Sequence, residues 1–359
     1  MSRKQIHYNI DNILKEDANF NLIYGEKSNG KSYQVKHKIG VLHYLETGMR
    51  FILLRRWRED ISNLWIEQYF ADVDVEKLTN NKYNCITQYR KVLYFSIYDK
   101  ETGKVKRVEK IGYVMSLSTE QHLSGASFLD VDMIIFEEFM QRGIYIKNEP
   151  DLLMVLYSTI DRKRGTTKLF MVGNSISRVC PYIGSWGLDS IFRKLKQGEI
   201  ATKIIHNEEN DVKIAIEYCM SSGGKTMTIG NASGMVDKGE WQSYPQPKLE
   251  KSLNEYNCLF RFGFQYKGFK FLCSYLEDKQ TNELCFFISP HTKDFKENTI
   301  VFSDTIKQSP YWQRDIYNIS INNENLKRFF QNFKENKIFY SSDLCGTDFK
   351  QVIDFAIKK

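Results

Sequence analysis

A chain of 359 residues carries enough material for about two domains, which excludes a disulfide-stapled mini-protein. Hydrophobic residues at 42% and charged residues at 26% exclude a disordered or fibrous chain, and 51 Lys and Arg against 44 Asp and Glu admit a polyanionic partner without requiring one. Seven scattered cysteines with no C-x-x-C spacing speak against a zinc site or disulfide framework and fit a reducing cytoplasm, while apolar runs as short as Leu152 to Tyr157 give no expectation of a membrane partner or a signal peptide.

In chain order, Asn19 to Tyr24 reads as a short strand, followed by Gly25-Glu26-Lys27-Ser28-Asn29-Gly30-Lys31-Ser32 and a helix-compatible stretch from Tyr33 to Glu46. G-x-x-x-x-G-K-S between a strand and a helix is the pattern of a phosphate loop. Its glycines let amides close on phosphate oxygens, Lys31 faces the β- and γ-phosphates of ATP, and the Ser32 hydroxyl is placed to ligate Mg²⁺. Arg50 to Leu54 reads as a second core strand with Arg55, Arg56 and Arg58 at its end. Arg55 and Arg56 suit either adenine and phosphate contacts or ion pairs. Residues 84–98 and 104–117 read as a hairpin around Asp99 to Gly103, an excursion from the core.

Asp132 to Phe136 is an apolar strand that delivers Glu137 and Glu138 at its C-terminal edge. Since successive strand residues face opposite sides, Glu137 is expected at the metal and Glu138 as catalytic base. Pro150 opens a helix running to about Asp161, then Arg162-Lys-Arg-Gly165, and Lys168 to Val172 forms another strand leading to Gly173-Asn174-Ser175. Alternating strands and helices give a central, mainly parallel sheet with ligands beyond the strand C-termini. Residues 197–231 read as a linker or small connecting domain, which separates a 1–196 domain from a 232–359 domain. In the latter, residues 256–266, 268–276 and 284–289 read as strands, and 323–336 and 348–358 as helices. The 14% of aromatic residues reads first as a Tyr- and Phe-rich core.

From Asn19 to Ile183 the ordered set of phosphate loop, Arg55-Arg56, I-I-F-E-E-F, N-E-P-helix, D-R-x-R and G-N-S-I-S resembles the DNA-encapsidation ATPases of small short-tailed phages, relatives of the large terminases. The resemblance implies an α/β fold of the additional-strand, catalytic-glutamate type of P-loop ATPase, with ATP and Mg²⁺ as cofactors. It implies Arg162 as an arginine finger acting in trans, with Arg164 its competitor, and Asn174 as the polar sensor. Glu137 departs from the family's aspartate at the first acid. The second domain resembles a degenerate ribonuclease-H-like nuclease that binds nucleic acid, with Glu277, Asp278, Asp304 and Asp348 as the candidate acids for a cutting site. The implied function is ATP-driven packaging of double-stranded DNA into a preformed capsid by a homo-oligomeric ring on the portal, with an RNA scaffold as a possible partner, in the host cytoplasm. An active terminase, a helicase or secretion-type motor and a nucleotide-gated scaffold are the alternatives.

Overall fold

The computed structural model describes residues 7–119, 127–141, 143, 145–206, 210–223, 233–304, 307, 309–313 and 323–357. The chain divides into two compact units, residues 1–176 with 195–240, and residues 177–194 with 241–359.

The first unit is built on nine strands: β1 (Phe20–Gly25), β2 (Arg50–Arg55), β3 (Cys85–Tyr89), β4 (Val92–Tyr98), β5 (Val105–Ser116), β6 (Val131–Glu137), β7 (Lys168–Asn174), β8 (Glu199–His206) and β9 (Asp211–Tyr218). Their order is β3-β4-β5-β2-β6-β7-β1-β9-β8. From β5 to β9 all neighbours pair parallel, while β3, β4 and β8 add antiparallel edges. Every residue of β1 is buried, as a central parallel strand covered on both faces requires. Ile23, Phe51, Leu53, Ile135 and Phe170 pack into one core with Val35 and Ile39 of the helix that follows the phosphate loop. That helix runs from Lys31 to Thr47, with π-type turns over Val35–Leu42. The Pro150 helix spans Glu149–Asp161, with proline in its first turn, where a missing N–H costs nothing.

Two expectations are corrected here. The described part of 197–231 is no linker over its first half, because β9 pairs in parallel with β1 and β8 closes the edge beside it. Lys213 and Glu217 interrupt the apolar run of β9, which hid a core strand from a reading based on apolar continuity. The hairpin over 84–117 is likewise only partly an excursion: Gly112 to Ser116 pairs with β2 inside the sheet, and only the distal part projects.

The second unit carries β10 (Tyr256–Tyr266), β11 (Phe269–Asp278), β12 (Leu284–Pro290), β13 (Ile300–Ser303), β14 (Trp312–Gln313) and β15 (Ile338–Tyr340) in the order β14-β13-β10-β11-β12-β15. The pairs β10–β11 and β11–β12 are antiparallel; β10–β13, β13–β14 and β12–β15 are parallel. Helices Glu324–Lys334 and Asp343–Ile357 supply Phe329 and Phe349, which pack edge-on against Phe262 at 4.9 Å and Phe264 at 5.1 Å. The aromatic excess is therefore core here. All seven cysteines are free thiols. No helix among the described residues is long and apolar enough to cross a membrane.

Candidate functional site

The parallel register brings the C-terminal ends of β1, β7, β6 and β2 to one edge of the sheet, where Gly25 lies beside Asn174. The loop turns because Gly30 takes a left-handed φ of 96° as the cap of the helix that begins at Lys31. Gly25 faces Cys219 so closely that a Cβ would stand 3.2 Å from its side chain.

Lys31 is buried and folds back over its own loop. Its ammonium donates to the Glu26 carbonyl, to Asn29 Oδ1 at 3.0 Å and to Asn174 Oδ1 at 3.4 Å. Burial holds its pKa below the usual lysine range, against the pull of Glu137 and Glu26. Ser32 Oγ donates to Glu137 Oε2 at 3.0 Å, and the Tyr69 hydroxyl donates to Oε1 at 2.7 Å. Burial pushes the Glu137 carboxyl up, although the hydrogen bonds from Tyr69 and Ser32 and the nearby Arg55 charge oppose it. A serine hydroxyl on a carboxylate beside a lysine-capped loop is a hard-oxygen donor set that suits Mg²⁺, next to backbone that suits phosphate.

Glu138 leaves the strand in a left-handed conformation, φ 59°, which costs a non-glycine residue about 1 kcal/mol or more. The turn is over-determined: Arg56 Nη1 donates to the Glu138 carbonyl at 3.0 Å and Nη2 to the Phe139 carbonyl at 2.8 Å, while Nε meets both oxygens of buried Glu149 at 2.8 and 2.9 Å. The turn leaves the Glu138 side chain 61% exposed, held at 3.0 Å by Arg55 Nη2, whose guanidinium also lies 4.9 Å from the Trp65 ring.

Of the residues expected from sequence, Gly25, Asn29, Gly30, Lys31, Ser32, Arg55, Glu137, Glu138 and Asn174 converge at this edge. Lys27 and Ser28 are exposed at the loop tip. Glu26 turns its carboxylate away, to the Ser222 amide at 2.8 Å and hydroxyl at 2.6 Å and to Ser221 Oγ, so only its backbone faces the loop. Arg56 is enclosed by carbonyls and Glu149 and acts on the Glu138 turn rather than offering itself to a ligand. Arg162 is exposed in the left-handed cap of the Glu149–Asp161 helix, φ 48°. Arg164 donates instead to the carbonyls of Leu129, Val131, Ile160 and Asp161, at 2.6 to 3.0 Å. Tyr69, Trp65, Glu149 and Ser222 were not visible as site residues in the sequence.

In the second unit each of the four acids has its own setting. Asp278 caps the turn after β11 and pairs with Lys251 at 2.6 Å, Asp304 accepts from the Lys267 amide at 3.0 Å, Asp348 pairs with Arg178 at 2.6 Å, and Glu277 is half-exposed on β11. Among the described residues no three His, Cys, Asp or Glu side chains are grouped to hold a metal.

The sheet order defines a mixed α/β chain built on a large, mostly parallel sheet. Residues 2–211 match the family described as podovirus DNA encapsidation protein (Gp16), and the chain belongs to that family. It is 28% identical over 179 residues to the DNA packaging protein of Bacillus phage B103, covering 49% of this chain and 50% of that one, and 27% identical over 182 residues to that of Bacillus phage phi29, covering 50% and 49%. The chain thus spans about half the length of the curated relatives it matches. In fold it is similar to a chain of the bacteriophage Phi-29 viral genome packaging motor assembly, with TM-score 0.60 and 18% identity over 98% of this chain and 99% of that one. It is also similar to the Phi-28 gp11 DNA packaging motor, with TM-score 0.53 and 17% identity over 99% of each.

Proposed function

We propose that this protein is an ATP-driven motor subunit that moves double-stranded DNA into a preformed capsid. The observation that carries the reading is the convergence of Lys31, Ser32, Glu137 and Asn174 at one sheet edge in a member of an encapsidation family. The position of β7 between β1 and β6 supports the additional-strand, catalytic-glutamate type of P-loop ATPase.

Mg²⁺, when bound, would supply positive charge that offsets the negative charge developing on the transferred phosphoryl group. Ser32 and Glu137 would hold it, and Glu137, one methylene longer than the aspartate of the family pattern, already reaches the Ser32 hydroxyl. Lys31 exchanges its loop carbonyl for phosphate oxygens, with Asn174 orienting it. Glu138, released from Arg55, accepts a proton from the attacking water, and Arg56 keeps the strained turn that points it outward. Arg162 is the finger that reaches a neighbouring subunit's γ-phosphate. Its exposure supports this choice over Arg164, whose guanidinium is already bonded to backbone carbonyls. The sequence β12-β11-β10-β13-β14, with its antiparallel start and parallel finish, supports a ribonuclease-H-like second unit, and the separate settings of its acids support nucleic-acid binding over cutting. The motor would act in the host cytoplasm as a ring on the portal, with an RNA scaffold as a further partner.

The test is phosphate release with and without duplex DNA, together with ATP-dependent DNA uptake by empty capsids. Stimulation by DNA and protected DNA in capsids are expected. Nucleotide binding with turnover indifferent to DNA and no uptake would leave a scaffold instead.

A further inference from the structure

Tyr69 and Trp65 belong to the helix Asn63–Phe70, which follows β2 and is opened by Ser62, whose hydroxyl accepts from the Trp65 amide at 3.0 Å. Four residues apart, the two rings fall on one side of that helix and stack at 5.1 Å with 26° between their planes. The pair reaches both acids of the site. Tyr69 donates its hydroxyl to Glu137 Oε1, and Trp65 packs on the Arg55 guanidinium that holds Glu138. The hydrolytic steps leave both rings without a role.

Glu137 needs more than one fixed point. Its side chain turns about three bonds where an aspartate turns about two, and the single hydrogen bond from Ser32 to Oε2 leaves the carboxylate plane free to rotate about that contact. The bond from Tyr69 to Oε1 at 2.7 Å removes that freedom, because the two donors come from different elements, Ser32 from the helix after the phosphate loop and Tyr69 from the helix after β2. The ring of Tyr69 is itself held. Trp65 stacks on it, Phe70 meets it edge-on at 4.9 Å, and the Lys36 ammonium lies 4.7 Å from its centroid while donating to the Tyr69 backbone carbonyl and pairing with Asp72. Lys36 stands one turn beyond Ser32 on the phosphate-loop helix, and its side chain is only 5% exposed. One helix therefore presents Ser32 to one oxygen of Glu137 and fixes the tyrosine that meets the other.

We propose that Tyr69 is a positioning residue for the metal-side acid: its hydroxyl locks the Glu137 carboxylate in the orientation that serves Mg²⁺, and the longer glutamate arm is what makes the lock necessary. The role rests on the assignment of Glu137 to Mg²⁺ in the motor reading and adds to it a residue that acts only through Glu137.

The test is equilibrium binding of a fluorescent ATP analogue by the full chain, without Mg²⁺ and across a Mg²⁺ titration, with a thermal melt of each variant. Tyr69→Phe keeps the ring and removes the hydroxyl. It should raise the half-saturating Mg²⁺ concentration about tenfold or more and leave affinity for the analogue without Mg²⁺ as in the parent. Glu137→Asp shortens the arm by one methylene and withdraws it from Tyr69, so adding Tyr69→Phe to it should shift half-saturation no further. Lys36→Met, which loosens the end of the tyrosine's helix but keeps the hydroxyl, should give a smaller shift in the same direction, and carries the test if Tyr69→Phe melts below the assay temperature. Unchanged half-saturation in the folded variant, an equal loss of affinity with and without Mg²⁺, or a full further shift on top of Glu137→Asp would each overturn the lock while leaving the metal assignment standing. A parent chain whose binding ignores Mg²⁺ would overturn the assignment of Glu137 to the metal, and the lock with it.

Discussion

The two units treat buried charge in opposite ways. In the nine-stranded unit Lys31, Glu137, Arg55 and the Arg56–Glu149 pair gather at the ends of adjacent parallel strands and bond across four elements. In the six-stranded unit buried charge is met one group at a time: Asp278 closes a turn and Arg178 meets Asp348, around a core of phenylalanine. Convergence in the first case places several costly groups where one ligand can satisfy them together. Separation in the second leaves each group already satisfied, which is what structure needs and chemistry does not.

The sharpest way to break this contrast is to remove a convergent group. Lys31→Ala should lower ATP turnover on the order of 10³-fold or more, read by phosphate release, with the circular-dichroism melt preserved. Turnover near that of the parent would remove Lys31 from the chemistry.

The converse change in the second unit should cost stability and leave catalysis alone. Asp348→Asn strands the Arg178 guanidinium in a buried site, a loss of about 3 to 5 kcal/mol in urea unfolding, while Arg178→Met with Asp348→Leu should recover most of it. Burial pushes the Asp348 carboxyl up, against the pull of Arg178.

A smaller effect tests the border of the site. Glu217 on β9 accepts from the Tyr8 hydroxyl at 2.7 Å, and burial raises its pKa to about 7 although that hydrogen bond opposes the rise. A folded pKa above the unfolded one means that stability present below about pH 4.5 is lost as pH rises towards 7. Glu217→Gln should therefore gain about 2 to 3 kcal/mol at pH 8 and nothing near pH 4.5, measured as the difference in unfolding free energy.

The legible part of the site was the part written contiguously. The phosphate loop and the Glu137–Glu138 strand end each declare their chemistry within eight residues. Tyr69 did not, because one tyrosine in the helix Asn63–Phe70 looks like any other packed aromatic until Glu137 is placed beside it. The Arg56–Glu149 pair spans 93 residues, and the left-handed turn at Glu138 that it maintains has no local signature such as glycine. In the fold, the long apolar strands declared themselves, whereas β9 was hidden by the lysine and glutamate that let it sit near an edge.

The central claim is that Glu138 is the base and Glu137 the metal-side acid of one hydrolytic site. Single-turnover ATP hydrolysis, with binding of a fluorescent ATP analogue measured in parallel, tests it directly. The account predicts that Glu138→Gln binds nucleotide with Mg²⁺ as the parent does and hydrolyses it about 10² to 10⁴ times more slowly, while Glu137→Gln loses the Mg²⁺ dependence of binding. Hydrolysis by Glu138→Gln at the parent rate, or tight Mg²⁺-dependent binding without turnover in Glu137→Gln, would contradict it.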